Sequence, residues 1–352
     1  MNKLISRVML GILIVSLALM AFDGTVWAAD KKKYIIKMSS EYAPKHPTIV
    51  NGFIPYFEEI KKKTGGRLEI QYFAPNTLTP VREAYSATVH GVVDLAFSPQ
   101  AFVAGKFPLS NVTGLPLMFK SAEAGSLTTW ELYKRFPNWR AEYKEVKPLW
   151  HHVSAIFELH TTKKHVKTIE ELQGMKIIVW HPPTRKMAIA LGANPVETTP
   201  QDTYLALERG MAEGVLCPIA PMRSFKISDT AKYHTMLNLS VLPFWGAMNQ
   251  KKWNSLPPDL QKVLEDTMGE KMARLAGKTL DDGAARDIKW MKEHDHTYYT
   301  LPPEERKRWL SKVSGIHEKW INDMGAKGHK NAKEIYDTTV RLSAQFQEQV
   351  GK

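Results

Sequence analysis

Apolar and polar positions between residues 34 and 97 follow two alternating periods. Tyr34-Ile35-Ile36-Lys37-Met38 has strand character, whereas Ile49, Val50, Phe53, Ile54, Phe57 and Ile60 recur at helical spacing and stop at Thr64-Gly65-Gly66. Residues 67–73 alternate with the period of two of a half-buried strand, residues 81–89 form a short helical pattern closed by Gly91, and residues 92–97 read as a buried strand. This alternation predicts an α/β protein with mainly parallel sheets, since parallel neighbours need a crossover helix between them.

The same order returns beyond Trp150. Strands are expected at 157–161, 176–180 and through Val215 and Leu216, with helices at 183–191 and 200–209. Glu83–Gly91 also superimposes on Asp202–Gly210: acid, Tyr, Ala and Gly coincide, and an acid follows each glycine by three residues, Asp94 and Glu213. Chance similarity of two amphipathic helices explains the match as readily as equivalent elements in two similar lobes.

From Pro257 to His294 the pattern is helical throughout, with one apolar stripe and glycines at 269, 277 and 283. A continuous helix there would reach about 55 Å, enough to lie across two lobes. Residues 298–301 suggest a last strand, and 303–350 is helical and charged. No serine-rich or low-complexity linker separates the halves, so several crossings should join them as in a clamshell. The expected division is 31–155 plus 244–283 for one lobe and 156–243 plus 284–352 for the other, with the ligand cleft between.

Residues 1–28 read as a secretion signal, with Lys3 and Arg7 before an uncharged run from Val8 to Phe22 and small residues at Val26 and Ala28. The run is shorter than the ~20 residues that span a bilayer. The segment carries a net +1 of the formal +12, which leaves +11 on the mature chain. Export removes nucleic acid as a partner and leaves solubility or steering of solutes as the use of that charge. The single cysteine, Cys217, excludes an internal disulfide or a multi-cysteine metal site.

No G-x-S-x-G, P-loop, G-x-G-x-x-G or H-E-x-x-H motif occurs. Histidine is the one conspicuous residue, at 151, 152, 160, 165 and 181 and again at 294 and 296. Adjacent histidines on a strand point to opposite faces, and the 294–296 pair falls at a helix end, so neither group is expected to hold a metal. Neither a cofactor nor catalysis is expected. Ligands of open α/β sheets settle at the carboxyl ends of strands, here Glu41-Tyr42, Ser98, Glu158, Trp180 and Cys217.

These segments resemble the substrate-binding proteins of tripartite ATP-independent periplasmic (TRAP) transporters. The likeness rests on Thr64–Ile70, Gly91–Ala96, Leu115–Phe119, Leu172–Ile177, Leu191–Val196, Tyr204–Gly210 and Trp253–Pro257, in order. It implies a periplasmic clamshell, with a long helix over both lobes, that closes on a small organic solute and docks on an ion-driven membrane permease.

The resemblance also implies arginines where this chain has Ile178 and Glu158, and an asparagine where it has Cys217. Isoleucine offers no bidentate bond to a carboxylate, and an ionised glutamate repels one. Arg185, or more weakly Arg223, is the candidate to restore the charge. Otherwise the pocket suits an amine, a neutral solute or an aromatic compound, with Glu41 and Glu158 as cation partners and Trp180, Phe244 and Trp245 as walls. Ile178→Arg is then expected to favour acids. A periplasmic sensor subunit is the alternative function, and an exported enzyme using Glu158 with His152 or His160 a remote third. One chain is expected to act as a monomer.

Overall fold

A computed structural model describes residues 32–351, so the expected secretion signal lies outside the described residues. The strands are β1 (Tyr34–Ser40), β2 (Leu68–Phe73), β3 (Leu95–Pro99), β4 (Val146–Val153), β5 (Phe157–Thr161), β6 (Lys176–Val179), β7 (Asn194–Glu197), β8 (Gly214–Pro218), β9 (Tyr233–Ser240), β10 (Pro243–Asn249) and β11 (Thr297–Thr300). They form a sheet of order β2-β1-β3-β10-β4 and another of order β11-β9-β5-β8-β6-β7.

Each sheet contains one reversed strand, β10 in the first and β5 in the second, antiparallel to both its neighbours. The remaining pairs are parallel. The chain crosses from β4 to β5 and returns from β9 to β10, so the strand that has just arrived runs away from the junction while all others end at it. That topology turns the carboxyl ends of both sheets toward one gap. Ser154 N–H donates to the Leu242 carbonyl at 2.8 Å and Leu242 N–H to the Ser154 hydroxyl at 2.9 Å, which ties the two crossing segments together.

The repeat noted in the sequence has a structural counterpart. The helices Ala84–His90 and Thr203–Glu208 are each followed by a left-handed glycine, Gly91 and Gly210, and then by β3 and β8. Asp94 accepts the N–H of Lys37 on β1 at 2.9 Å, and Glu213 accepts the N–H of Lys176 on β6 at 3.1 Å. The acid three residues after each glycine therefore accepts a main-chain N–H of the parallel strand beside it.

The long helix is shorter than its apolar stripe suggested. Helix Pro258–Thr267 ends at Met268, and a second helix, Glu270–Lys292, begins after Gly269 at φ 61. Only glycine takes that conformation easily, and its N–H is diverted to the Leu149 carbonyl at 2.7 Å. The remaining 23 residues still cross both lobes. Met272 and Ala276 pack in the first lobe's core, Leu280 in a junction cluster with Phe119, Val153, Ala155 and Val241, and Met291 in the second lobe's core.

Helix Pro303–Ala326 also spans the two. Trp309 and Val313 join the second lobe's core, whereas Trp320 and Met324 join the first. The last helix, Ala332–Val350, buries Ala332, Ile335 and Leu342 against the first lobe. Residues 320–342 thus pack on the first lobe, against the expectation that 284–352 builds the second. Their helical period showed which face is buried but not which lobe receives it.

Candidate functional site

The gap between the lobes is walled by residues that directly follow strands. Beyond β1 lie Glu41 and Tyr42. The Tyr42 ring stacks on His46 at 4.0 Å, and its carbonyl accepts the Tyr72 hydroxyl at 2.6 Å. Beyond β3 lies Phe102, with the guanidinium of Arg82 over its ring at 4.6 Å from the centroid. From the second lobe come Trp180 and His181, which follow β6. The Trp180 indole donates to the Thr203 hydroxyl at 2.9 Å, and the ring centroid of His181 lies 5.8 Å from that of Phe102. The Phe102–His181 contact joins one lobe to the other.

Burial sets the charge of this cleft. It pushes the Glu41 carboxyl up to about 8, with Arg82 pulling the other way. It holds His181 down to about 4, helped by the positive charge of Arg82, and His46 down to about 4. A buried carboxylic acid stays neutral when desolvation exceeds the attraction of its cation. At neutral pH the positive charge of Arg82 therefore stands opposite a protonated Glu41 and a neutral His181 in this cleft. Arg82 forms no ion pair among the described residues. The Nδ1 of His181 is buried with no partner among them.

The other residues singled out in the sequence take different places. Phe244 and Trp245 are buried in β10 and pack on opposite faces, Phe244 against His152 and Tyr42, Trp245 against Tyr85. Ser98 is buried in β3 opposite Trp245. Cys217 is buried in the second lobe's core beside Ile178, and burial pushes its thiol well up. Arg185 pairs with Glu197 at 2.7 Å on the surface. Arg223 pairs with Asp287 at 3.0 Å and lies over Trp290. Both substitute cations are thus engaged within the second lobe.

Glu158 has a structural task. On β5 its neighbours Phe157 and Leu159 pair with Ser240 and Thr235, so four residues of β9 bulge opposite Glu158, with Asn238 at φ 49. The carboxylate accepts the N–H groups of Leu237 and Asn238, and Arg306 donates to the Leu237 carbonyl. Burial pushes its carboxyl up to about 8, against the two N–H donors and the Arg306 charge. His160, on the same face, engages the Cys217 carbonyl and His234 instead.

Glu158 also borders a crevice of about 430 Å³ behind the crossing strands, roofed by the long helix. Its charged groups are largely spent on one another. Lys278 pairs with Asp282, Glu123 with Arg274, and Asp281 accepts the N–H groups of Ala122 and Glu123.

Arg82, Phe102 and His46 escaped the sequence reading. His46 and Phe102 lie in loops or short turns after a strand, where no periodicity applies, and Arg82 lies at the start of the helical pattern over 81–89, which says nothing of a ligand. The one available signal was that Arg82 precedes the repeated Glu83–Gly91 unit.

Comparison with known proteins gives concordant findings. Residues 39–323 match the family model described as bacterial extracellular solute-binding protein, family 7. The C4-dicarboxylate-binding periplasmic protein of Rhodobacter capsulatus is 25% identical over 299 residues, 83% of this chain and 88% of that protein. A TRAP solute-binding protein from Rhodoferax ferrireducens, solved with copurified benzoate, superimposes with a TM-score of 0.82 at 26% identity, covering 91% of this chain and 100% of that one. A TRAP periplasmic solute-binding protein from Bordetella bronchiseptica, solved with (R)- and (S)-mandelate, gives 0.80 at 25% identity, with 89% and 99% covered.

Proposed function

The chain belongs to family 7 of the bacterial extracellular solute-binding proteins, and we propose that its solute is a small aromatic monocarboxylate. As a TRAP solute-binding protein it is a non-enzymatic, extracytoplasmic transport component that works with membrane transporter subunits.

One observation carries the ligand reading: Arg82, without a carboxylate partner among the described residues, lies over Phe102 and faces His181 of the opposite lobe. A guanidinium at the cleft without a partner suits a carboxylate, and its fork accommodates both oxygens. Protonated Glu41 adds a donor and no repulsion. Tyr42, Phe102 and Trp180 offer flat walls suited to a ring. The one guanidinium of Arg82 matches a monoanion better than a diacid, whose second carboxylate would need a further partner.

In this reading the charge that the resemblance places on β5 and β6 comes instead from the first lobe, and two similar structures carry benzoate and mandelate. One chain supplies both walls, so it serves as a monomer.

The test is a thermal-shift and calorimetric comparison of benzoate, mandelate, succinate and phenethylamine on the mature protein. A ligand that binds only the native state raises the melting temperature. Stabilisation by the first two, lost in Arg82→Gln, is expected. Stabilisation by the amine alone would overturn the reading.

A further inference from the structure

A solute draws two lobes together only through contacts that it makes with both, and the second lobe has few polar groups to give. Ile178 and Cys217 are buried among apolar side chains, and Glu158 takes the N–H groups of the β9 bulge. Trp180 donates its indole N–H to Thr203 at 2.9 Å. Arg185 pairs with Glu197, and Arg223 with Asp287. The start of helix Pro182–Ala190 is poor in main-chain donors as well. Pro182 and Pro183 carry no N–H, and the N–H of Arg185 returns to the His181 carbonyl at 3.1 Å.

His181 stands apart from the other histidines of that lobe. His160 engages the Cys217 carbonyl and His234, and His234 engages His296 at 2.9 Å, all three buried. His294 engages the Trp290 carbonyl at 2.7 Å, and His165 packs on Tyr233 at the start of β9, away from the cleft. The His181 ring makes no hydrogen bond among the described residues. Its Nδ1 is buried, whereas its Nε2 is not enclosed. A hydrogen on Nδ1 would be buried with nothing to accept it, so the neutral ring carries its hydrogen on Nε2.

That ring is pre-set opposite Arg82. Pro182 confines the residue before it to extended backbone, and His181 has φ −141 and ψ 149. Both side chains lie against Phe102, the guanidinium carbon 4.6 Å and the His181 ring 5.8 Å from its centroid. A carboxylate offers about four lone-pair directions, of which a guanidinium fork takes two. A neutral N–H from the opposite lobe can take a third without adding a second charge.

We propose that His181 is the second lobe's contact to the carboxylate that Arg82 holds, donating from Nε2, so that the anion itself bridges the two lobes. The bridge rests on the monocarboxylate reading and adds to it the residue through which the second lobe recognises the acid. It also accounts for a second lobe that has lost the arginines implied by family resemblance: the charge sits on one lobe and a neutral donor on the other.

Calorimetric titration of the mature protein with benzoate, together with nitrogen-detected NMR of its histidine rings, tests this. Benzoate has no polar group besides its carboxylate, so any loss is read at that group. His181→Phe keeps a ring against Phe102 without a nitrogen. It should bind benzoate at least about tenfold more weakly, the size of a hydrogen bond to a charged group. His181→Gln carries an amide N–H close to the Nε2 position and should recover most of the affinity. In the parent, His181 should be the Nε2–H tautomer, and its Nε2 resonance should move when benzoate binds.

Equal affinity in the parent and His181→Phe, or an Nδ1–H tautomer with benzoate bound, would overturn the bridge. A glutamine variant as weak as the phenylalanine one would overturn it too, because the ring and not its N–H would then matter. Should His181→Phe fail to fold, His181→Leu makes the same comparison. A parent that binds neither benzoate nor mandelate would instead sink the monocarboxylate reading and the bridge together, a result distinct from any seen only in the variants.

Discussion

The carboxylate of Glu158 accepts the main-chain N–H of Asn238 at 2.8 Å, from the strand that leaves the second lobe to the one that has just entered it. A side chain that read as a possible ligand contact thereby closes a bulge next to the hinge. Glu158→Gln retains an acceptor for the Leu237 and Asn238 N–H groups, whereas Glu158→Ala orphans both. Chemical denaturation should show the alanine variant less stable by about 2–4 kcal/mol and the glutamine variant within about 1 kcal/mol of the parent.

Glu158 also sets a pH dependence. Its folded pKa is raised from 4.5 to about 8. Its contribution to stability is therefore complete below pH 4.5 and is lost as pH rises through 8. Glutamine cannot ionise, so Glu158→Gln should flatten the decline in melting temperature between about pH 5 and 8. An identical decline in both proteins would show that the carboxyl already ionises at its ordinary value.

Arg82 is solvent-exposed and holds no ion pair among the described residues, so its removal should leave folding intact. Isothermal titration with benzoate should show Arg82→Gln weakened by about 30–100-fold, the size of a charge-assisted bond. Arg82→Lys keeps the charge but loses the fork and should fall between. Raising pH through 8 ionises Glu41 and should weaken the anion further.

Ile178→Arg is the substitution that restores the residue implied by family resemblance. Ile178 is wholly buried among Val215, Cys217, Ile219 and Met222. A guanidinium placed there has no partner, and breaking or lacking a buried pair costs about 3–5 kcal/mol. The variant should melt early or aggregate rather than gain acids. A well-folded Ile178→Arg protein with improved acid affinity would mean that the side chain can escape toward the cleft.

Gly277 marks the crossing of the long helix over helix Ala122–Arg135. A Cβ there would stand 2.4 Å from the Glu123 Cα and 2.6 Å from the Ala122 carbonyl oxygen, both main-chain atoms. Gly277→Ala should cost about 1–3 kcal/mol by overpacking, despite alanine's better helix propensity. Urea unfolding against Gly315→Ala, where nothing lies within 4 Å, provides the comparison.

The alternation of periods was enough to read the α/β class, the strands β1 to β3, β5, β6 and β8, and the two-lobed plan. Those features follow from local spacing, which a linear chain displays directly. The repeat of Glu83–Gly91 in Asp202–Gly210 was also legible, because a helix, a glycine and an acid keep fixed offsets wherever the unit occurs. Glu41, Tyr42 and Trp180 could be named as cleft residues because the rule that ligands meet strand ends needs only strand boundaries.

Other features belong to the tertiary structure alone. That Gly269 breaks the long helix depends on the Leu149 carbonyl, 120 residues away, which takes its N–H. That Glu158 faces a bulge rather than a solute depends on the register of β5 with β9, which period-two alternation cannot supply. His160, His234 and His296 lie in three separate segments, and only the pairing of β9 with β5 and with β11 sets them in line. The cleft's positive charge comes from Arg82 because β3 and the turn at 81–83 end side by side, and its neutral Glu41 from desolvation, a property of surrounding volume that no spacing along the chain records.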